Sequence, residues 1–198
     1  MQLLPSLPRE AFDRSDLDKM ILVSGLSKSG KTQTLQRAAK FSLPIEHVKA
    51  STLLRAKNQP LSLLRYEEVI NNQTVLLEAL AEYPHELGTV RILDGHALIE
   101  AIEGPVLLPD WVFDRLSLCG IIVIIAPPEI IAHRRAGTDL EQRYATLERF
   151  QRLEETHCAS QAERLSITFR TVVSGDAVEL AKSLLRMIEP EGKLEGSH

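Results

Sequence analysis

Two cysteines, Cys119 and Cys158, are all that 198 residues carry, and they lie far apart in no C-x-x-C pattern. That scarcity excludes a disulfide framework and a thiolate zinc site, and it suits reduced thiols in a cytoplasmic setting. No uninterrupted apolar run approaches the roughly 18 residues a membrane-spanning helix needs. A large excess of one charge is missing too. Lys and Arg number 23 against 27 Asp and Glu, a formal net charge of -4, which argues against nucleic acid as a broad electrostatic partner but leaves local arginine clusters able to grip a small polyanion. Internal repeats, low-complexity tracts and long linkers are also absent. With 44% hydrophobic and 25% charged residues, the chain is most economically one domain over residues 20–190. Residues 1–19 mix proline with charge and lack the apolar stretch and small-residue cleavage site of a secretory signal, so they read as an extension. Residues 191–198 read as a flexible tail.

What is present centres on Met20 to Thr34, MILVSGLSKSGKTQT, an apolar run that breaks into Gly and Ser and then starts a helix. Gly25-Leu26-Ser27-Lys28-Ser29-Gly30-Lys31-Thr32 fits G-x-x-x-x-G-K-[ST] at every defined position. Small residues let successive backbone N–H groups converge on phosphate oxygens, and the helix N-terminus behind them adds partial positive charge. The pattern implies nucleotide contacts from Gly25, Ser27, Lys28, Ser29, Gly30, Lys31, Thr32 and the following Gln33. Lys31 would reach the β- and γ-phosphates and the Thr32 hydroxyl would hold Mg²⁺.

Strand alternates with helix along the rest. The spacing predicts a helix from Lys31 to about Phe41, a strand near Ile45 to Val48, a helix after the hydroxyls of Ser51 and Thr52, and a longer helix from about Leu63 to Ala81. Val90 to Asp94 reads as a strand delivering an aspartate to its C-terminal end. Gly104-Pro105 and Pro109 mark a loop, and Asp110 caps a short helix through Leu118. Ile121-Ile122-Val123-Ile124-Ile125 has no polar alternation, which indicates a strand buried on both faces. Helix resumes through Arg134 and Arg135, then from Asp139 to about Arg164. A last strand spans Ile167 to Val173. A final helix opens at Asp176, with Glu179 at capping-box spacing. This order predicts an α/β fold with a five-stranded parallel sheet covered on both faces.

The P-loop, Asp94-Gly95-His96 at a strand end, Leu107-Leu108-Pro109 before an amphipathic helix, the isoleucine-rich strand, and Arg134-Arg135 with the later Arg143 together resemble P-loop nucleoside monophosphate kinases, most of all archaeal-type adenylate kinases. The resemblance spans roughly Lys19 to Met187. It implies a three-layer fold with strand order 2-3-1-4-5, an acceptor-binding segment over about 49–82, an arginine-bearing lid over about 128–145, and transfer of a γ-phosphoryl from Mg·ATP to a nucleoside monophosphate, AMP first among them. It further implies that Lys31, Arg134, Arg135 and Arg143 neutralise phosphate charge, that Asp94 orients Mg²⁺ beside Thr32, and that Gly175 packs near the donor base. On the acceptor side Ser51 and either Arg55 or Arg65 become phosphate-binding candidates. Asn72 or Gln73 could read a base edge, and His96 could contact a phosphate or the acceptor.

Phosphoryl transfer needs positioning and positive charge more than covalent help. A monophosphate acceptor presents an ionised oxygen, whereas a hydroxyl is helped by a positioned carboxylate, a role open to Asp94. Two alternatives therefore stand: a P-loop kinase of a small-molecule hydroxyl, and an NTP-hydrolysing switch or assembly factor in which no metabolite is phosphorylated.

Overall fold

The computed structural model describes residues 20–86, 88–138 and 143–188. The expected N-terminal extension, the tail and the helical start at Asp139 and Leu140 lie outside these residues. The described elements are β1 (Met20–Ser24), α1 (Lys31–Ala38), β2 (Ile45–Lys49), α2 (Ala50–Ala56), α3 (Tyr66–Glu82), β3 (Val90–Asp94), β4 (Leu98–Ala101), β5 (Gly104–Leu107), α4 (Asp110–Arg115), β6 (Leu118–Ile125), α5 (Pro128–Arg135), α6 (Tyr144–Arg164), β7 (Thr168–Val173) and α7 (Ala177–Ile188).

Five strands form one parallel sheet in the order β2-β3-β1-β6-β7. Numbered within that sheet alone, the order is the expected 2-3-1-4-5. The buried reading of the isoleucine run holds because side chains alternate between two covered faces. Ile121 and Val123 pack with Leu76 and Leu80 of α3, Phe113 of α4 and Cys158 of α6. Ile122 and Ile124 face the other way, onto Leu35 of α1 and Leu180 and Leu184 of α7. A smaller cluster of Leu26, Leu98, Ile131, Leu147 and Phe150 supports the P-loop from below.

Three local expectations are corrected. The Gly104-Pro105 stretch is not a loop but the second strand of an antiparallel hairpin, with Ile99 opposite Val106 and Glu100 opposite Pro105. Proline is tolerated there because the two-stranded ribbon leaves an outer edge without ladder bonds. Ser51 and Thr52 do not cap α2; the helix already begins at Ala50 and neither hydroxyl makes a cap bond. Leu63 is not helical either, since it has φ +54° and is exposed, and α3 starts at Tyr66, where the Glu68 carboxylate accepts the Arg65 N–H at 2.7 Å.

The strands share one polarity, so the segments after β1, β2, β3, β6 and β7 all emerge along one edge of the sheet. The chain runs from β1 outward to β2, back to β3, then across to β6. The crevice at this reversal, between β1 and β3, is where open parallel sheets collect ligands.

Candidate active site

The first loop at that edge departs from β1 through Gly25, whose φ is +142°; a Cβ there would stand 2.4 Å from the Ile124 carbonyl oxygen. Only glycine permits that approach. The turn closes with the Ser29 N–H donating to the Leu26 carbonyl at 3.0 Å. It passes through left-handed Lys28 (φ +65°) and Gly30 (φ +102°) before α1 begins. A Cβ on Gly30 would meet the Ser174 hydroxyl at 2.3 Å, so the loop after β7 is packed against the turn. A second tie holds it: the Gly175 N–H donates to Thr34 Oγ1 at 2.9 Å. Gly175 is thus fixed beside α1.

The turn lines an open cavity of about 530 Å³ together with Ser27, Lys28, Gly30, Lys31, Thr32, Gln33, Ser51, Asp94, His96 and Arg134. Lys31 is 6% exposed. Its Nζ donates to the Gly25 carbonyl at 2.6 Å and lies 3.4 Å from His96 Nδ1. Burial lowers the Lys31 pKa, with Asp94 and Glu154 opposing it. Burial likewise depresses His96, to about 3, and the neighbouring Lys31 charge adds to it, so the ring is neutral at ordinary pH. The Thr32 hydroxyl donates to Asp94 Oδ2 at 2.6 Å, and His47 Nε2 sits 3.1 Å from the same oxygen. For Asp94, burial pushes the carboxyl up, but the His47 hydrogen bond, the Lys31 charge and the Thr32 hydroxyl outweigh it and hold the group below the usual carboxylate range.

Thr32 and Asp94 therefore present two hard oxygen donors side by side. No group of three or more His, Cys, Asp or Glu among the described residues could hold a metal. This donor set fits Mg²⁺, which keeps several waters and takes its remaining ligands from substrate phosphates rather than from an all-protein cage.

The arginines divide. Arg134 lines the cavity and donates to the Lys28 and Ser29 carbonyls at 3.1 and 2.9 Å. Arg135, expected in the lid, is instead fully buried. Its guanidinium forks onto both Glu100 oxygens, at 2.9 and 2.7 Å, and onto the Ser27 carbonyl at 3.1 and 2.9 Å. It braces the hairpin against the P-loop rather than lining the larger cavity, because α5 is short and its last residue meets the β4–β5 hairpin. Arg143 is exposed at the N-terminus of α6 and lines neither this cavity nor its neighbour.

The neighbouring cavity, about 290 Å³, adjoins the first through Ser27, Ala50, Ser51 and His96. Its walls include Leu22, Leu54, Leu61, Leu64, Leu76 and Phe113, with Arg55, Asn72 and Gln73 as its other polar residues. Asn72 is 2% exposed; its amide nitrogen donates to the Pro60 carbonyl at 2.8 Å while Oδ1 has no partner. Arg65 lies outside both cavities, exposed at the entry to α3. Of the two candidate arginines, Arg55 is the one that lines a cavity.

Three participants escaped the sequence reading. Thr34 and His47 carried no visible signal, being ordinary helix and strand residues. Glu154 did carry one. It falls on the stripe Leu147, Phe150, Glu154, Cys158, all buried, and a carboxylate on an apolar helix face calls for a partner. Its Oε1 accepts from the Ser24 hydroxyl, the Gly25 N–H and the Ala97 N–H at 2.6, 3.1 and 3.0 Å. Burial raises the carboxyl pKa, against the Lys31 charge and those donors.

No curated protein matches the chain in sequence. Among solved structures it is similar to shikimate kinase from Acinetobacter baumannii in complex with shikimate, at 18% identity and a TM-score of 0.55 over 91% of this chain and 97% of that one. It is also similar to an unliganded sugar kinase from Janibacter sp. HTCC2649, at 18% identity and a TM-score of 0.51 over 86% and 94%. These likenesses establish a P-loop kinase fold. The family described as "AAA domain" matches residues 24–151, a span that holds the P-loop, Asp94, all of the larger cavity's lining and the α5 arginines, and the chain belongs to that family.

Proposed function

We propose that this protein transfers the γ-phosphoryl group of ATP to a nucleoside monophosphate, with AMP the first candidate. The carrying observation is the pair of adjoining cavities, one lined by the P-loop and one apolar with a buried, unpaired carboxamide oxygen at Asn72. A polyol would bury several hydroxyls, each needing a hydrogen-bond partner, in a cavity whose walls are mostly leucine with Phe113 and whose polar side chains are few. A planar base suits those walls, and an exocyclic amino group supplies the donor that Asn72 Oδ1 lacks. Arg55 then takes the monophosphate, since guanidinium binds phosphate through two parallel N–H bonds.

ATP would seat its β- and γ-phosphates in the turn over residues 25–32, with Lys31 released from the Gly25 carbonyl onto phosphate oxygen. Bound Mg²⁺, held by Thr32 with Asp94 beside it, supplies charge neutralisation at those phosphates. Arg134 stands at the cavity wall to meet charge on the transferred group. An acceptor oxygen near Ser51 and His96 attacks the γ-phosphorus, the bond to the bridging β–γ oxygen breaks, and ADP leaves. A hydroxyl acceptor is the second reading, favoured by Asp94 and by the likeness to two kinases, one of them bound to shikimate. Asp94 Oδ2 is, however, already engaged by Thr32 and His47.

The test is a coupled assay of ADP formation with AMP, CMP, UMP, GMP, dTMP, shikimate and gluconate, beside Lys31→Ala. Stimulation by a monophosphate, lost in the variant, is the expected result. Stimulation only by a hydroxyl compound would move the assignment to the second reading. ATP turnover indifferent to every acceptor would favour a hydrolytic switch.

A further inference from the structure

Behind the phosphate turn, a closed ring of contacts joins the two segments that carry the site. Lys31 Nζ donates to the Gly25 carbonyl, and the Gly25 N–H donates to Glu154 Oε1. The Ala97 N–H donates to the same oxygen at 3.0 Å and to Ser24 Oγ at 2.8 Å. His96, next to Ala97 in sequence, returns to Lys31 at 3.4 Å. Glu154 is wholly buried and is the only side chain in the ring contributed by α6.

We propose that Glu154 is a positioning residue for nucleotide binding, its single oxygen Oε1 fixing the start of the P-loop against the loop after β3. One acceptor shared by Ser24, Gly25 and Ala97 ties α6 to both loops where the β1–β3 pairing and the Ala97–Ser24 bond already bring them side by side. Lys31 hangs from the first through Gly25, and His96 and Asp94 belong to the second. Without the carboxylate the buried Gly25 N–H loses its side-chain acceptor and the Ala97 N–H keeps only Ser24 Oγ, which loosens the two loops against each other. Among the described residues Oε2 has no hydrogen-bond partner, so the observed contacts to the two loops all run through Oε1.

The inference rests on the P-loop binding nucleotide, so the measurement is the MgADP dissociation constant of the full chain, without acceptor, together with Tm. Failure of the unmutated protein to bind MgADP would overturn the nucleotide reading itself. Given binding, Glu154→Ala is expected to weaken MgADP by about ten- to a hundredfold. Glu154→Gln retains an acceptor at Oε1 and is expected to stay within about fivefold of the unmutated protein. Ser24→Ala removes one donor without emptying the core and is expected to cost a few-fold. Combined with Glu154→Gln, its effect on MgADP affinity should be non-additive, because both act on one network. A folded Glu154→Ala with lower Tm but unchanged MgADP affinity would overturn the proposal. So would Glu154→Gln as damaging as Glu154→Ala, or, should the alanine variant fail to fold, strict additivity of Ser24→Ala with Glu154→Gln.

Discussion

At the scale of single residues, two adjacent arginines that look equivalent in sequence have different work to do. Arg135 is sealed between Glu100 and the Ser27 carbonyl. Removing one partner of such a buried pair strands the other charge, and Arg135→Ala is expected to lose about 3–5 kcal/mol of stability, read by urea unfolding. Arg134 reaches the cavity from the rim. Arg134→Ala gives up two bonds at the exposed rim and should cost only about 1 kcal/mol, far less than Arg135→Ala, while cutting kcat on the order of a hundredfold, the scale of losing one preorganised donor to transition-state charge. If Arg134→Ala costs as much stability as Arg135→Ala and spares kcat, both arginines are braces. His96 gives a pH prediction. Its folded pKa of about 3 lies below the ordinary 6.5, so between those values the unfolded chain binds a proton that the native protein does not. Its contribution therefore costs stability progressively as pH falls from 6.5 towards 3. An imidazole NMR titration should show His96 still neutral at about pH 5, in line with the direction that desolvation imposes.

At the scale of elements, β1 and its turn depend on a close backbone approach. Gly25→Ala would drive a methyl into the Ile124 carbonyl while φ stays at +142°, and nucleotide binding should be lost along with stability, checked by MgADP titration of the soluble variant. The final helix behaves more simply. Asp176 Oδ1 accepts the Glu179 N–H at 2.9 Å, so Asp176→Ala should cost about 1 kcal/mol, the ordinary worth of an N-cap. The reciprocal half of the capping box did not form; the Glu179 carboxylate instead accepts the Ser183 hydroxyl at 3.5 Å. The hairpin is illegible in the sequence for a physical reason. Strands of four residues with Gly and Pro give no period-2 pattern long enough to see, and what stabilises this one is packing of Leu98 beside Leu26 and Leu147, together with Arg135 on Glu100.

At the scale of the whole molecule, the sheet, the two covering layers and the edge where loops converge form one scaffold for the P-loop cavity. A ligand held only by the native state adds to its stability by mass action. MgADP at a hundred times its dissociation constant should contribute about 2.7 kcal/mol, which for a chain of this size raises Tm by roughly 5–10 °C. Lys31→Ala should abolish that shift in a thermal scan. No helix among the described residues is long and apolar enough to cross a membrane.

The sequence by itself determined the parts whose physics is local. Gly25 to Thr32 matches the P-loop pattern because backbone conformation, helix start and lysine position are encoded within eight neighbouring residues. The unbroken run Ile121 to Ile125 dictates a strand covered on both sides, and with it a parallel sheet. Tertiary structure alone decided which distant side chains meet. It brought Arg55 rather than Arg65 to the smaller cavity, turned Arg135 inward onto Glu100, set His47 beside Asp94, and placed the Glu154 carboxylate on the amides of Gly25 and Ala97. Each of those meetings spans tens of residues or more, and depends on how helices settle on the sheet, a geometry that no short-range pattern of residue types contains.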